Sequence, residues 1–107
     1  MSSEERAGAV FAALADPTRR AVVRSLAQQQ TVTASALATE LPISRQAVAK
    51  HLATLAHAGL IAGRREGRET RYRLTPEPLD DAVQWMAEVG AAWDERLARL
   101  REHVSEL

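Results

Sequence analysis

Apolar residues recur at intervals of three and four along most of the chain, which predicts a mainly helical fold. A first helix is expected from about Ser3 to Ala15. Asp16 and Pro17 then suit the cap and the first position of a second helix that reaches about Ala27. Two or three residues of strand and a short helix over "ASALATEL" follow. The apolar stripe of the first helix has three members: Val10, Phe11 and Leu14.

The stretch "SRQAVAKHLATLAHAGLI", residues 44–61, predicts a helix with clear ends. Ser44 suits its N-terminal cap, and Gly59 suits the turn that ends it. The face of this helix that points away from the core carries short residues and a few long hydrogen-bonding side chains. With the short helix before it, this segment predicts a helix-turn-helix over residues 34–58. Its buried face is expected to hold Val48, Leu52 and Leu55.

Residues 60–75, "LIAGRREGRETRYRLT", predict a β-hairpin beside the helices, which we call the wing. Gly67 and Arg68 suit a type II′ turn because the glycine comes first. This turn pairs residue 65 with 70, 64 with 71, 63 with 72, 62 with 73 and 61 with 74. The face expected to pack on the helices then holds Ile61, Gly63, Tyr72 and Leu74.

The other face of the wing concentrates positive charge. Arg64 lies opposite Arg71, with Arg73 diagonal to them, and like charges in direct opposition destabilise a hairpin. A solvated face would explain a basic segment, but this pairing favours an anion between the arginines. Residues 45–73 hold seven basic and two acidic side chains, while residues 76–107 hold three and eight. The chain therefore presents a basic surface although its formal net charge is zero.

The last predicted helix, residues 78–107, has apolar residues spaced alternately by four and three, ending at Leu107. Such a helix is about 40 Å long, more than a domain of this size can cover. A second copy of the chain is the simplest partner, with residues 1–15 and 78–107 as dimerisation helices. The expected interface residues are Val10, Phe11, Leu14, Met86, Gly90, Trp93, Leu97, Leu100 and Val104.

Length and composition fit one domain over residues 1–107, mainly α with a small β-hairpin wing (α+β). No apolar run approaches a membrane span, and the N-terminus lacks the features of a signal peptide. The sequence contains no cysteine, which removes disulfides and thiolate metal sites. A cytoplasmic protein without a membrane partner is expected.

The short outer face of the helix over residues 45–57 suits close approach to the major groove of double-stranded DNA, and Arg and Gln suit base edges. The wing arginines suit phosphates or the minor groove. The residues expected to read bases are Arg45, Gln46, Ala47, Ala49 and Lys50. Those expected at the DNA backbone are Ser44, His51, Arg64, Arg65, Arg68, Arg71 and Arg73, although His51 could instead anchor the helix.

The chain resembles the ArsR/SmtB-type winged-helix repressors over nearly its whole length. The resemblance rests on residues 14–26, 44–61 and 64–75, where Ser, His-Leu, Ala-Gly-Leu and Tyr-x-Leu stand at the family's positions. It implies a dimeric transcriptional regulator, usually a repressor that binds an inverted repeat near its own promoter.

The family's metal-sensing motifs are incomplete. Where family metal sensors carry Cys-x-Cys in the third helix, this chain has "SALATEL". His103 and Glu106 match half of a second family site on the last helix, but Gly90 and Ala92 stand where its other half is expected. Glycine and alanine cannot bind a metal, so neither a metal nor a cofactor is expected.

Two other classes of function compete with a DNA-binding regulator. An enzyme lacks support because no nucleophile elbow, phosphate loop or HExxH motif occurs. A winged-helix module that binds protein rather than DNA would favour an apolar or acidic outer face, where this chain has Arg45 and Lys50. Whether a small molecule or protein effector controls the regulator is left open by the sequence.

Overall fold

A computed structural model describes residues 1–106, which form five helices and a three-stranded antiparallel sheet. This confirms the mainly α fold with a small β wing; Leu107 lies outside the described residues. The elements in chain order are α1 (Ser3–Ala13), α2 (Pro17–Gln28), β1 (Val32–Thr33), α3 (Ala34–Glu40), α4 (Arg45–His57), β2 (Ile61–Glu66), β3 (Glu69–Leu74) and α5 (Glu77–Ser105).

The first helix ends two residues earlier than predicted, at Ala13. Asp16 begins α2 by accepting hydrogen bonds from the amides of Thr18 and Arg19, at 2.7 and 3.1 Å. The Arg19 side chain reaches back to the carbonyl oxygen of Ala13 at 2.6 Å, and Arg20 reaches that of Leu14 at 2.7 Å. The first turn of α2 thus satisfies the carbonyl groups that a longer α1 would have bonded internally.

The wing has the predicted register, with Ile61 opposite Leu74 and Arg64 opposite Arg71. Gly67 has a φ of +62°, whereas the next residue, Arg68, does not have a positive φ. A positive φ at only the first of the two turn residues is the pattern of a type II′ turn. The short strand β1 pairs with the outer edge of β3, so the strand order is β1-β3-β2.

The core lies where α1 to α4 meet the sheet and the first turns of α5. Its fully buried side chains include the three residues predicted for the inner face of α4, together with Leu37 of α3. Tyr72 and Leu74 of the wing pack against this core from the sheet. The twelve core residues are Val10, Ala13, Val22, Leu26, Val32, Leu37, Val48, Leu52, Leu55, Leu60, Ile61 and Ala82.

Helix α5 packs on α1 only at its beginning. Ala82 is buried, Arg6 forms an ion pair with Asp81 at 3.0 Å, and the rings of Phe11 and Trp85 meet edge to face at 5.4 Å. The rest of α5 projects, so the molecule measures 69 × 30 × 20 Å with a radius of gyration of 18.7 Å. A compact chain of about 100 residues would have a radius of about 13 Å. Within residues 1–106, no helix combines the length and apolar character needed to cross a membrane.

Candidate nucleic-acid interface

The outer face of α4 is open because the helix is held firmly on its other side. Ser44 Oγ accepts a hydrogen bond from the amide of Ala47 at 3.1 Å, which confirms the predicted cap. Its hydroxyl proton remains able to donate to a phosphate. With Val48 and Leu52 fully buried, the rotation of the helix is determined. The residues that line the open outer face are Ser44, Gln46, Ala47, Ala49 and Lys50.

Arg45 is separated from this outer face. It lines a cleft of about 200 Å³ between the start of α4, the start of α3 and the wing. Two of the predicted wing residues, Arg65 and Arg68, line the same cleft. The structure therefore brings three predicted site arginines together from α4 and the wing. The other residues around the cleft are Thr33, Ala34, Ser35, Glu69, Thr70 and Tyr72.

The remaining wing arginines lie on the opposite face of the sheet, because side chains alternate along a strand. Arg71 is already paired there: its Nε lies 3.1 Å from a carboxylate oxygen of Glu66. Glu66 thus supplies one carboxylate to Arg71 from within the wing. An external anion beside Arg64 and Arg71 stays a prediction. The pair is not evident from the sequence because Glu66 lies directly opposite Glu69 in the register, and Arg71 is its diagonal neighbour.

His51 is half-buried on the side of α4 that faces the beginning of α2. The pKa of the nearby Asp16 carboxyl is lowered mainly by the hydrogen bond from the Arg19 amide, with burial acting against this change. The Thr18 amide and the charge of Arg19 lower it further, and the coulombic contribution of His51 is the smallest. This placement favours the anchoring role for His51, and contact with a DNA phosphate stays a prediction.

The predicted dimer residues divide into two groups. Val10 is 0% exposed in the chain's own core, so its assignment to a dimer interface is corrected. Leu14 also packs against that core. Leu97 is half-buried and Gly90 is exposed. The large apolar side chains that remain exposed in this set are Phe11, Met86, Trp93, Leu100 and Val104.

The metal-ligating side chains are scattered. Within residues 1–106, no three His, Asp or Glu side chains lie close enough together to hold a metal ion. His103 stands in the last turn of α5, with Glu106 at its C-terminal cap.

The helix-turn-helix of α3 and α4 with the wing of β2 and β3 defines a winged helix-turn-helix protein. Residues 14–64 match a family model described as a helix-turn-helix domain. The chain is 35% identical over 77 residues to the transcriptional repressor SdpR of Bacillus subtilis, covering 72% of this chain and 84% of that protein. It therefore belongs to the ArsR/SmtB family of winged helix-turn-helix transcriptional regulators, a family of DNA-binding regulators rather than enzymes.

Solved structures agree with this assignment. An ArsR-like transcriptional regulator from Rhodococcus sp. RHA1 is 40% identical, with a TM-score of 0.81 and coverage of 95% of both chains. The DNA-binding domain of Mb0332 from Mycobacterium bovis, described as a homodimeric winged helix-turn-helix and a possible ArsR-family regulator, is 30% identical. Its TM-score is 0.64, and the match covers 87% of this chain and 82% of that one.

Proposed function

We propose that this chain is a cytoplasmic, homodimeric repressor that binds an inverted-repeat DNA operator, including one in its own promoter, without responding to metals. The observation that carries the proposal is the outer face of α4, where Gln46 and Lys50 stand exposed above the small side chain of Ala49. A surface of this kind admits the edge of a major groove and offers hydrogen bonds to bases.

Base reading is assigned to the residues that line this face. The amide of Gln46 suits the paired donor and acceptor of adenine, and Lys50 suits the acceptors of guanine. Ala47 and Ala49 leave room for the groove and can contact a thymine methyl group. Around them, Ser44 and the wing arginines Arg64, Arg68, Arg71 and Arg73 are assigned to the DNA backbone or the minor groove.

A second copy of the chain is the proposed partner of α5. Trp93 and Leu100 are 55% and 57% exposed although they lie on one apolar face of the helix. Exposed apolar side chains in such a continuous row are typical of an interface. The homodimeric relative from Mycobacterium bovis supports this assembly. A dimer with a two-fold axis would place two α4 helices at the half-sites of an inverted repeat.

Regulation by a metal is not proposed because the ligands are of the wrong types. The chain has no cysteine, and the nonligating Gly90 and Ala92 precede His103 on α5. Zinc and arsenite ions are therefore expected to leave DNA affinity unchanged. Release of the protein from its operator by either ion at a stoichiometric concentration would contradict this part of the proposal.

Fluorescence anisotropy with DNA from upstream of the chain's own gene tests the central proposal. A shuffled duplex of the same composition is the control, at near-physiological salt. Preference for the native duplex by about 10³-fold or more is expected, as for specific DNA-binding proteins. Equal, salt-sensitive binding to both duplexes would contradict self-repression, and absence of binding to either would favour a protein-interaction module.

The half-site geometry is tested with the same duplex. The two α4 helices of a dimer should engage half-sites about one DNA turn, or about 34 Å, apart. Insertion of five base pairs between the half-sites rotates one of them to the opposite side of the duplex and should remove the specific preference. Unchanged affinity after this insertion would contradict simultaneous binding of both half-sites.

A further inference from the structure

We infer that Arg45, Arg65 and Arg68 form a single site for one DNA backbone phosphate where α4 meets the wing. Arg45 is then a backbone anchor rather than a reader of bases. This inference rests on the proposed DNA-binding function and assigns one position within it. It differs from the expectation from the sequence, in which Arg45 and Gln46 both read bases.

The direction of Arg45 follows from its place on the helix. Successive residues of an α-helix are separated by about 100° around the axis. Arg45 precedes buried Val48 by three residues and buried Leu52 by seven, which places it beside the core stripe. Gln46 and Lys50, four residues apart, lie at the centre of the outer face. Arg45 therefore lies on the side of α4 next to the wing, where it lines the cleft with Arg65 and Arg68.

The guanidinium groups are available to an anion. Arg65 Nε donates to the carbonyl oxygen of Gly67 at 3.0 Å, which orients the group. Its two terminal nitrogens make no hydrogen bond or ion pair to residues 1–106, and neither Arg45 nor Arg68 makes one through its side chain. Guanidinium groups bind phosphate with paired N–H donors, so two of them can share one phosphate.

The surroundings favour an anion over a base edge. The cleft volume of about 200 Å³ is sufficient for a phosphodiester group with its first waters. Three arginines line it against one carboxylate, that of Glu69. Ser35 and Tyr72 add hydroxyl groups that can donate to phosphate oxygens.

The first test compares Arg45→Ala with Gln46→Ala on the operator and on a shuffled duplex. Both residues are exposed, so both variants should fold like the native chain by circular dichroism. Arg45→Ala is expected to weaken binding to both duplexes by the same factor, about tenfold, and to reduce the salt-dependence slope by about one. Gln46→Ala should weaken binding to the operator alone.

A charge-matched control separates a local contact from a loss of overall charge. Arg99→Ala also removes one positive charge, but Arg99 pairs with Glu95 on the projecting part of α5. It should leave both the affinity and the salt slope close to those of the native chain. An effect of Arg99→Ala equal to that of Arg45→Ala would overturn the assignment of Arg45 to a specific phosphate.

The second test identifies the shared phosphate directly. Single methylphosphonate linkages, which carry no charge, are placed in turn along the operator. At one linkage the loss of DNA affinity should be large for the native chain and almost absent for Arg45→Ala and for Arg65→Ala. The affinity of the double variant Arg45→Ala/Arg65→Ala should fall by less than the product of the two single fold-changes, because the effects of residues at one site are not additive.

The outcomes distinguish this inference from the proposed function. Specific binding by the native chain, with Arg45→Ala relaxing preference at one base pair and leaving the shuffled duplex unaffected, would overturn the phosphate site while the regulator stands. Independent methylphosphonate effects for Arg45 and Arg65 would likewise overturn it. If the native chain binds neither duplex, the proposed function fails together with the inference.

Discussion

Single residues hold helix α4 in place at both ends. Ser44 bonds the amide of Ala47 at the beginning, and Gly59 closes the end with a φ of +79°. The amide of Leu60 then donates to the carbonyl of Leu55 at 3.0 Å, and both side chains are fully buried. This Schellman arrangement needs a residue that tolerates a positive φ, so glycine is favoured at position 59.

Gln46 offers the simplest test of the proposed recognition of DNA bases. Gln46→Ala should lower the discrimination between the preferred and other base pairs at one operator position by about 1–3 kcal/mol. The reason is that alanine keeps the helix but cannot form the paired hydrogen bonds to adenine. A panel of duplexes with single base-pair changes measures the effect, and unchanged discrimination at every position would contradict a reading role.

The lowered pKa of Asp16 predicts how the stability of the chain depends on pH. Because the folded state favours the charged carboxylate, its contribution is fully present above the unfolded pKa of about 3.9. It decreases as the pH falls below that value and is lost once the pH passes below the lower folded-state pKa. Asp16→Ala should therefore be less stable than the native chain in urea at pH 7.

Repeating the unfolding of Asp16→Ala at successively lower pH, at fixed protein concentration, supplies the check. The difference in unfolding free energy between variant and native chain should narrow below about pH 4. Asp16→Asn is the matched control, since asparagine also caps helices well. A difference that is independent of pH would show that the carboxylate charge contributes nothing.

At the scale of elements, the wing shows how much of this structure a local pattern contains. Alternation of side chains and a glycine in the first turn position were sufficient to predict five of the six cross-strand pairs of β2 and β3. The C-terminal end of α1 was predicted less well than its start, because the helix stops where Arg19 and Arg20 of α2 bond carbonyl groups at that end. That contact joins residues whose proximity depends on the angle between two helices.

The turn of the wing gives a prediction at this scale. Gly67→Ala should destabilise the wing by about 1–2 kcal/mol, because an L-residue is strained at a φ of +62°. Nothing lies within 4 Å of an added Cβ there, so a steric collision does not contribute. Hydrogen exchange of the β2 and β3 amides measures the change. Gly67→Asn should lose less of this protection than Gly67→Ala. Equal protection in the native chain and in both variants would contradict the assigned turn.

At the scale of the whole molecule, the projecting part of α5 makes assembly testable. Leu100→Glu places a charge on the exposed apolar face and should convert the dimer to a monomer at micromolar concentration, observed by analytical ultracentrifugation. The operator affinity should fall by more than tenfold, since each half-site then binds alone. Ala98→Glu adds the same charge at an exposed position outside the apolar row, and it should leave the dimer intact.

The two helical glycines Gly8 and Gly90 test how closely the subunits approach. An added Cβ meets nothing within 4 Å at either position in one chain. Gly8→Ala should therefore stabilise the fold by about 0.5–1 kcal/mol through helix propensity alone. Gly90→Ala should instead weaken dimerisation, because the partner helix is expected to approach there. Equal stabilisation by both substitutions, with the dimer unchanged, would contradict that approach.

Features that depend on residues close together in the sequence could be predicted from it, whereas features that depend on tertiary contacts could not. Caps, turns and apolar periodicities involve residues that are close together in the sequence. The helices, the wing register and the family resemblance could therefore be predicted from the sequence. The same periodicity placed Val10 on an apolar stripe, but it could not show that the chain's own core buries this residue completely.

The partners of long side chains were decided only by the tertiary structure. The ion pair of Arg71 with Glu66 depends on which neighbours a long side chain reaches across a twisted pair of strands. The grouping of Arg45 with Arg65 and Arg68 depends on how α4 is rotated against the wing. That rotation results from burying three apolar side chains of α4 in a common core. The local pattern predicts these three residues, but it does not contain the position of the wing relative to them.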